Sequence, residues 1–373
     1  MAAIRSTSPS LRESPRAPLR ESSPTRFFLA VYVLLVVYAT LYPLAGWRDP
    51  SGPVLAFLAA PWPRYVTAFD MLANFFGYVP YGLLCVLAAQ PRLAGGGAVL
   101  LAAVTGAVLS LLLESAQSFL PARIPSNVDV LANVAGAAAG GLAAAILPRW
   151  LPGGGPLQRL RAQALIPGAA ADLGLALLGL WLFAQLNPAT LLFGSGDLRD
   201  LFASAVGERH EAQLFVSIEA AITAANLAAV ALLVAAGARP EAPVRRLVAA
   251  LIAVALVVKT FAFAILMRAE HVFAWLTPGA QLGLAAGVVL AMAALWLPRT
   301  ARLALAAVLL MAAAVLVNLA PPNPYFTATL KVWEQGHFLN FNGLTRLVSA
   351  MWPFAALGYL VYLAAGQRRK PLQ

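Results

Sequence analysis

The chain has 373 residues, of which 61% are hydrophobic and only 11% charged, with a mean hydropathy of +0.78; that balance excludes a water-soluble globular domain. Its formal charge of +11 does not point to nucleic acid. Lys and Arg stand in short runs between apolar stretches and form no basic patch interleaved with aromatics. A single cysteine, Cys85, excludes an intramolecular disulfide and a thiolate metal cluster, and no cofactor or metal is expected.

Residues 1–26 are rich in Ser, Pro and Arg and lack apolar periodicity, which predicts a disordered tail. Apolar stretches then follow one another at 27–47, 70–89, 97–117, 127–147, 168–186, 212–236, 246–267, 272–297, 300–319 and 344–365. Each is close to the roughly 20 residues that carry a helix across a hydrocarbon core of about 30 Å. Barrel strands would instead alternate apolar and polar over about 10 residues, and these Leu, Ala and Val runs do not alternate. The first stretch is too long for the core of a cleaved signal peptide and is expected to stay as a span. The expected fold class is all-α: a polytopic transmembrane helical bundle of about ten spans.

With the N-terminus inside, 17 of the 26 Lys and Arg fall in inner segments, seven in outer ones, and two, Lys259 and Arg346, within spans. That asymmetry predicts a multi-pass protein of the cytoplasmic (inner) membrane with both termini cytoplasmic. The stretch 149–167, which contains Pro152-Gly-Gly-Gly-Pro156, reads as a cytoplasmic linker. It separates a four-span region, 27–148, from a six-span module, 168–367, and residues 368–373 form a basic cytoplasmic tail.

Ionisable groups inside a bilayer are costly, about 2.5–3.5 kcal/mol each on insertion scales, and mark candidate sites. The second span opens with Asp70 and Asn74, the fourth with Asp129 and Asn133, and the third closes with Glu114 and Gln117. Spacings of three or four residues put each pair on one helix face. At about 1.5 Å rise per residue, the three pairs stand level near the outer surface. Arg123, in the proline-bounded turn 118–126, adds a planar five-donor fork suited to a carboxylate or phosphate. Pro80 predicts a kink below Asn74, and Gly136 with Gly140 forms a small-residue packing stripe.

The order Asp70, Asn74, Phe75, Pro80, Gly82, then Glu114-Ser-Ala-Gln117, then Arg123, Asp129-Val-Leu-Ala-Asn133 and Gly136 resembles the VanZ-like family of small bacterial membrane proteins. The resemblance spans residues 27–148. It implies a four-helix membrane domain of the cell envelope and a link to low-level teicoplanin resistance, an antibiotic-resistance role, and it assigns no reaction. The last six spans have no counterpart in it.

In the second module Glu219 and Lys259 stand at similar depth, roughly 10–12 Å below the outer ends of adjacent spans, and form a candidate intramembrane ion pair. His210, His271 and His337 lie in outer segments beside Glu208, Glu211, Glu270 and Glu334, without metal-ligand spacing, and read as solvated loop side chains. The stretch from Pro321 to Phe326, with Trp333, Phe338 and Phe341, reads as an interfacial aromatic anchor.

The leading functional expectation is an outer-leaflet site that binds or modifies a membrane lipid or cell-wall precursor through Asp70, Asn74, Glu114, Gln117, Arg123, Asp129 and Asn133. A membrane enzyme using Glu114 and Asp129 as acid and base is the second reading, although no nucleophile elbow, metal motif or phosphate loop is present. A proton-coupled transporter using Glu219 and Lys259 is the third. On a Cys85→Ala background, single cysteines placed beside Glu114 and Asn133 are expected to react with a membrane-impermeant thiol reagent added outside intact cells. Reaction only after the inner face is opened would reverse the orientation.

Overall fold

The structure, a computed structural model, describes residues 24–42, 44–50, 52–62, 68–146, 156–166, 168–199, 211–266, 272–321 and 339–368. Among these every regular element is a helix: α1 Pro24–Leu41, α2 Ala56–Ala59, α3 Ala68–Ala89, α4 Gly95–Gln117, α5 Asn127–Ile146, α6 Pro156–Ala164, α7 Ala169–Ala184, α8 Ala212–Gly237, α9 Val244–Leu266, α10 Pro278–Ala294, α11 Arg299–Leu319 and α12 Leu339–Arg368. Seven of them, α3, α4, α5, α8, α9, α11 and α12, are long and apolar enough to cross a membrane. Three shorter apolar helices, α1, α7 and α10, stand where the other expected spans lie.

The differences from the sequence reading are local and have physical causes. Residues 24–26, assigned above to the tail, already belong to α1, while 1–23 lie outside the described residues. The linker 149–167 contains a helix, α6, tied down by an Arg161–Asp172 ion pair and by an antiparallel bridge from Leu165 to Ala238. The span expected from 272 begins only at Pro278: the Thr277 hydroxyl accepts the Ala280 N–H at 3.0 Å, and Pro278 is pre-set for the first helical turn. The three histidines and the stretch from 322 to Phe338 lie outside the described residues.

α3, α4 and α5 pack together, with α3 against α5 the most extensive contact between helices among the described residues. Glycines make it possible. A Cβ built on Gly136 or Gly140 of α5 would strike the carbonyls of Phe75 or Val79, and one on Gly82 of α3 would strike that of Ala137. The two backbones therefore touch, as small-residue stripes allow where no water is available to drive association. α3 stays a single helix through Pro80, and the Tyr32 hydroxyl of α1 donates to the nearby Gly77 carbonyl at 2.7 Å.

The remaining helices gather round α8, whose spanning segment is 83% buried against 28–44% for the other six long helices. It is apolar on every side, as a central helix must be, and α7, α9, α10 and α11 all touch it. Gly279, Gly283 and Gly287 bring α10 against Val216, Ala220 and Ala224 of α8 in the same way that α5 meets α3. α1 bridges the two groups: it packs on α3 and α4, and also on α7 and α12 through Leu35, Tyr38, Ala184, Leu344 and Val348.

Because the α3–α5 contact is made backbone to backbone, Gly136→Leu is expected to lower stability by about 3 kcal/mol, the upper range for overpacking. Thermal unfolding in detergent checks this, and an unchanged Tm would refute the close approach.

Candidate functional site

The N-termini of α3 and α5 and the C-terminus of α4 lie at one end of the bundle, and the seven residues expected from the sequence sit there in two layers. Asp70, Asn74, Arg123 and Asp129 are half-buried; Glu114, Gln117 and Asn133 are buried, Glu114 to 3% exposure. The Asp129 carboxylate is close enough to Asp70 for their charges to interact, and the Asn74 side chain is within hydrogen-bonding reach of it. Asp129 and Arg123 are both close enough to act on the charge of Glu114.

Direct bonds give several of these groups a second duty. Glu114 Oε2 accepts the Ser126 N–H at 2.8 Å, and the Ser126 hydroxyl accepts the Val128 N–H at 3.2 Å. Together they cap the N-terminus of α5, where a carboxylate also meets the positive end of the helix dipole. Arg123 does the converse for α1: its Nε and Nη2 donate to the Tyr42 carbonyl at 3.1 and 2.7 Å. Gln117 Nε2 donates to the Thr40 carbonyl at 3.0 Å, closing the same helix end. Burial pushes the Arg123 guanidinium down from its ordinary value, and the neighbouring Glu114 opposes that.

Beneath this level Asn133 Nδ2 donates to Ser110 Oγ at 2.9 Å, with the Tyr78 hydroxyl in reach of the same oxygen. Asn133 Oδ1 is buried without a partner. Ser110, Tyr78, Ser126 and Tyr32 were not singled out from the sequence. Ser110 is four residues from Glu114 and Tyr78 four from Asn74, so extending each polar face by one turn would have found them.

Residues 44–50 and 52–62 are pinned over these helix ends. The Arg48 N–H donates to the Phe119 carbonyl at 2.9 Å, Ser118 Oγ to Val54 at 3.2 Å, and Asn127 Nδ2 to Ala60 at 2.8 Å. They expose Trp47, Leu55, Leu58 and Trp62, and the turn before α5 exposes Ile124. Aromatic and aliphatic side chains around a polar cluster suit the head-group level of a bilayer.

Glu219 and Lys259, the candidate ion pair, take separate partners. Glu219 Oε1 accepts the Thr277 hydroxyl at 2.6 Å at the N-terminus of α10. Lys259, 1% exposed, donates to the carbonyls of Asn187 and Thr190, both at 2.8 Å, and to Thr190 Oγ1 at 3.2 Å. Each charge sits at the helix end whose dipole it opposes, Glu219 at the start of α10 and Lys259 beyond the end of α7, which meets its needs without the other. The irregular stretch 185–199 after α7 is largely buried. Thr223 also reaches it, donating to Leu192 at 3.2 Å, as does Asn318, donating to Gly196 at 2.7 Å. Non-helical backbone at this depth needs such capture by protein groups.

Among the described residues no three His, Cys, Asp or Glu side chains are grouped so as to hold a metal ion. Residues 28–148 match the model of the VanZ/LLP1 family. The match runs through α5, includes all seven residues of the cluster and stops before α6, so the similarity to that family is confined to the N-terminal part of the chain. No curated protein and no solved structure matches the chain.

Replacing Arg123 with Lys keeps the charge but loses the paired donation to one carbonyl. Arg123→Lys and Arg123→Gln are both expected to destabilise the region, by about 1–2 kcal/mol, measured as thermal unfolding in detergent. Full stability of Arg123→Lys would show that charge alone holds the end of α1.

Proposed function

We propose that the VanZ-like region binds the polar head of an envelope lipid or cell-wall precursor at the outer leaflet. Asp70, Asn74 and Asp129 are the contact groups; Glu114, Gln117 and Arg123 hold the helix ends that present them. What carries this reading is the meeting of two carboxylates and an amide, half-exposed, from two helices within a rim of exposed Trp47, Leu55, Leu58, Trp62 and Ile124. A set so rich in acceptors suits a ligand that donates, such as sugar hydroxyls or an ammonium group. The apolar rim would let the ligand's chains remain in the bilayer while its head is bound.

An acid–base role for Glu114 and Asp129 draws less support, since one Glu114 oxygen is spent on the Ser126 N–H. Transport is favoured by one observation, the buried Lys259 holding the non-helical stretch after α7.

Protein in lipid nanodiscs is expected to bind a fluorescent lipid-linked cell-wall precursor, and Asp70→Asn with Asp129→Asn to weaken binding at least about tenfold, near 1.4 kcal/mol. Teicoplanin susceptibility of cells carrying the same variants tests the resistance link. Unchanged binding in the double variant would overturn the proposal. Uptake of precursor into vesicles that is lost in Lys259→Met would support transport instead.

A further inference from the structure

At the end of the molecule opposite Glu219 and Thr277, the α8–α9 and α10–α11 turns border an open, shallow cavity of about 600 Å³. Arg245 and Arg246 from the first turn of α9, Arg302 from the first turn of α11, and Leu295 and Trp296 from the turn between α10 and α11 line it. Two further arginines at this end are already committed to carbonyls: Arg239 Nε donates to Leu165 at 3.0 Å and Arg299 Nη2 to Ala236 at 3.2 Å. The three lining the cavity are not used in this way. Arg245 lies over the Trp296 ring at 5.3 Å, and Arg302 Nε is buried without a partner. Among the described residues none of the three forms an ion pair; Glu241, the nearest acidic residue in sequence, is exposed and pairs with none of them.

Three uncompensated guanidinium groups around one cavity create a strong positive potential, and the N-termini of α9 and α11 open at the same place and add to it. Arg is also the side chain best matched to phosphate, through paired donors in one plane. The wall is as informative as the charge. Trp296 is 80% exposed and Leu297 beside it is also exposed, an apolar flank that a free anion in water would not use. At a helix end of a membrane protein, that flank lies at the level of acyl chains and glycerol backbones.

We propose that this cavity binds the phosphate of an anionic phospholipid from the adjacent leaflet. Arg245, Arg246 and Arg302 hold the phosphate oxygens, and Trp296 and Leu295 pack on the lipid's apolar part. Basic recesses between membrane helices suit such head groups. Binding here joins the α8–α9 and α10–α11 turns across the inner ends of the helices around α8. This site is independent of the VanZ-like region and of the function proposed for it.

The test uses the full-length protein in nanodiscs that mix phosphatidylcholine with phosphatidylglycerol, and measures the phosphatidylglycerol retained after purification. Wild type is expected to enrich phosphatidylglycerol, the triple variant Arg245→Gln, Arg246→Gln, Arg302→Gln to lose that enrichment by at least about tenfold, and Arg92→Gln, outside the cavity, to keep it. A second readout does not depend on the triple variant's folding: brominated phosphatidylglycerol is expected to quench a component of tryptophan fluorescence that is missing in Trp296→Phe. Equal enrichment in wild type and a well-folded triple variant would overturn the proposal, as would quenching unaffected by Trp296→Phe. Displacement of the lipid by inorganic phosphate at millimolar concentration would also overturn it, by showing the site to be one for a free anion.

Discussion

Hydrocarbon offers no hydrogen bonds, so every polar group this chain carries into a bilayer must be met by another part of the chain. In this protein the charged side chains meet that demand largely at helix ends. Glu114 accepts the Ser126 N–H before α5, Arg123 donates to the Tyr42 carbonyl at the end of α1, Glu219 meets the capping threonine of α10, and Lys259 donates to carbonyls beyond the end of α7. A helix end is a fixed partial charge of about half an electron with unsatisfied donors or acceptors. Pairing a full charge with it satisfies both the side chain and the backbone.

The same arrangement gives the polar residues of the VanZ-like region two layers with different duties. Buried Glu114 and Gln117, with half-buried Arg123, close helix ends, while glycines hold α3 and α5 in backbone contact. Only the half-buried layer, with Asp70, Asn74 and Asp129, has surface left to offer a ligand. Rigid support beneath and accessible groups above is what a binding site needs, because a ligand then does not have to order its own receptor.

The six apolar helices α7 to α12 use different means for the same ends. Their core is a largely apolar helix, α8, surrounded by neighbours, and α1 joins the group to the VanZ-like region through α7 and α12. Besides the Glu219–Thr277 bond, two places concentrate their polar groups: the non-helical stretch 185–199 and the arginine cavity at the far end. The first is held by hydrogen bonds from α8, α9 and α11; the second has three guanidinium groups that form no ion pair among the described residues, an imbalance that a bound anion would remove.

Much was legible in the sequence because a bilayer imposes a simple rule. Runs of about 20 apolar residues must become helices, which placed the seven long apolar helices and the three shorter ones, and the rise per residue placed Asp70, Glu114 and Asp129 toward one end of the bundle. The glycine stripe of α5 was visible for the same reason: small residues at every fourth position have one use. The capping of α10 by Thr277 and the helix inside the linker were also written locally, in a Thr-Pro pair and a short run of Leu, Gln and Arg, but the stronger apolar pattern around them hid both. What each charge does was decided only by the tertiary structure. Equal depth made Glu219 and Lys259 look like a pair, and Arg123 look free to clamp a ligand. Depth fixes one coordinate; which helix end faces a side chain across the bundle depends on the rotation and packing of helices far apart in sequence, and hydropathy does not record that.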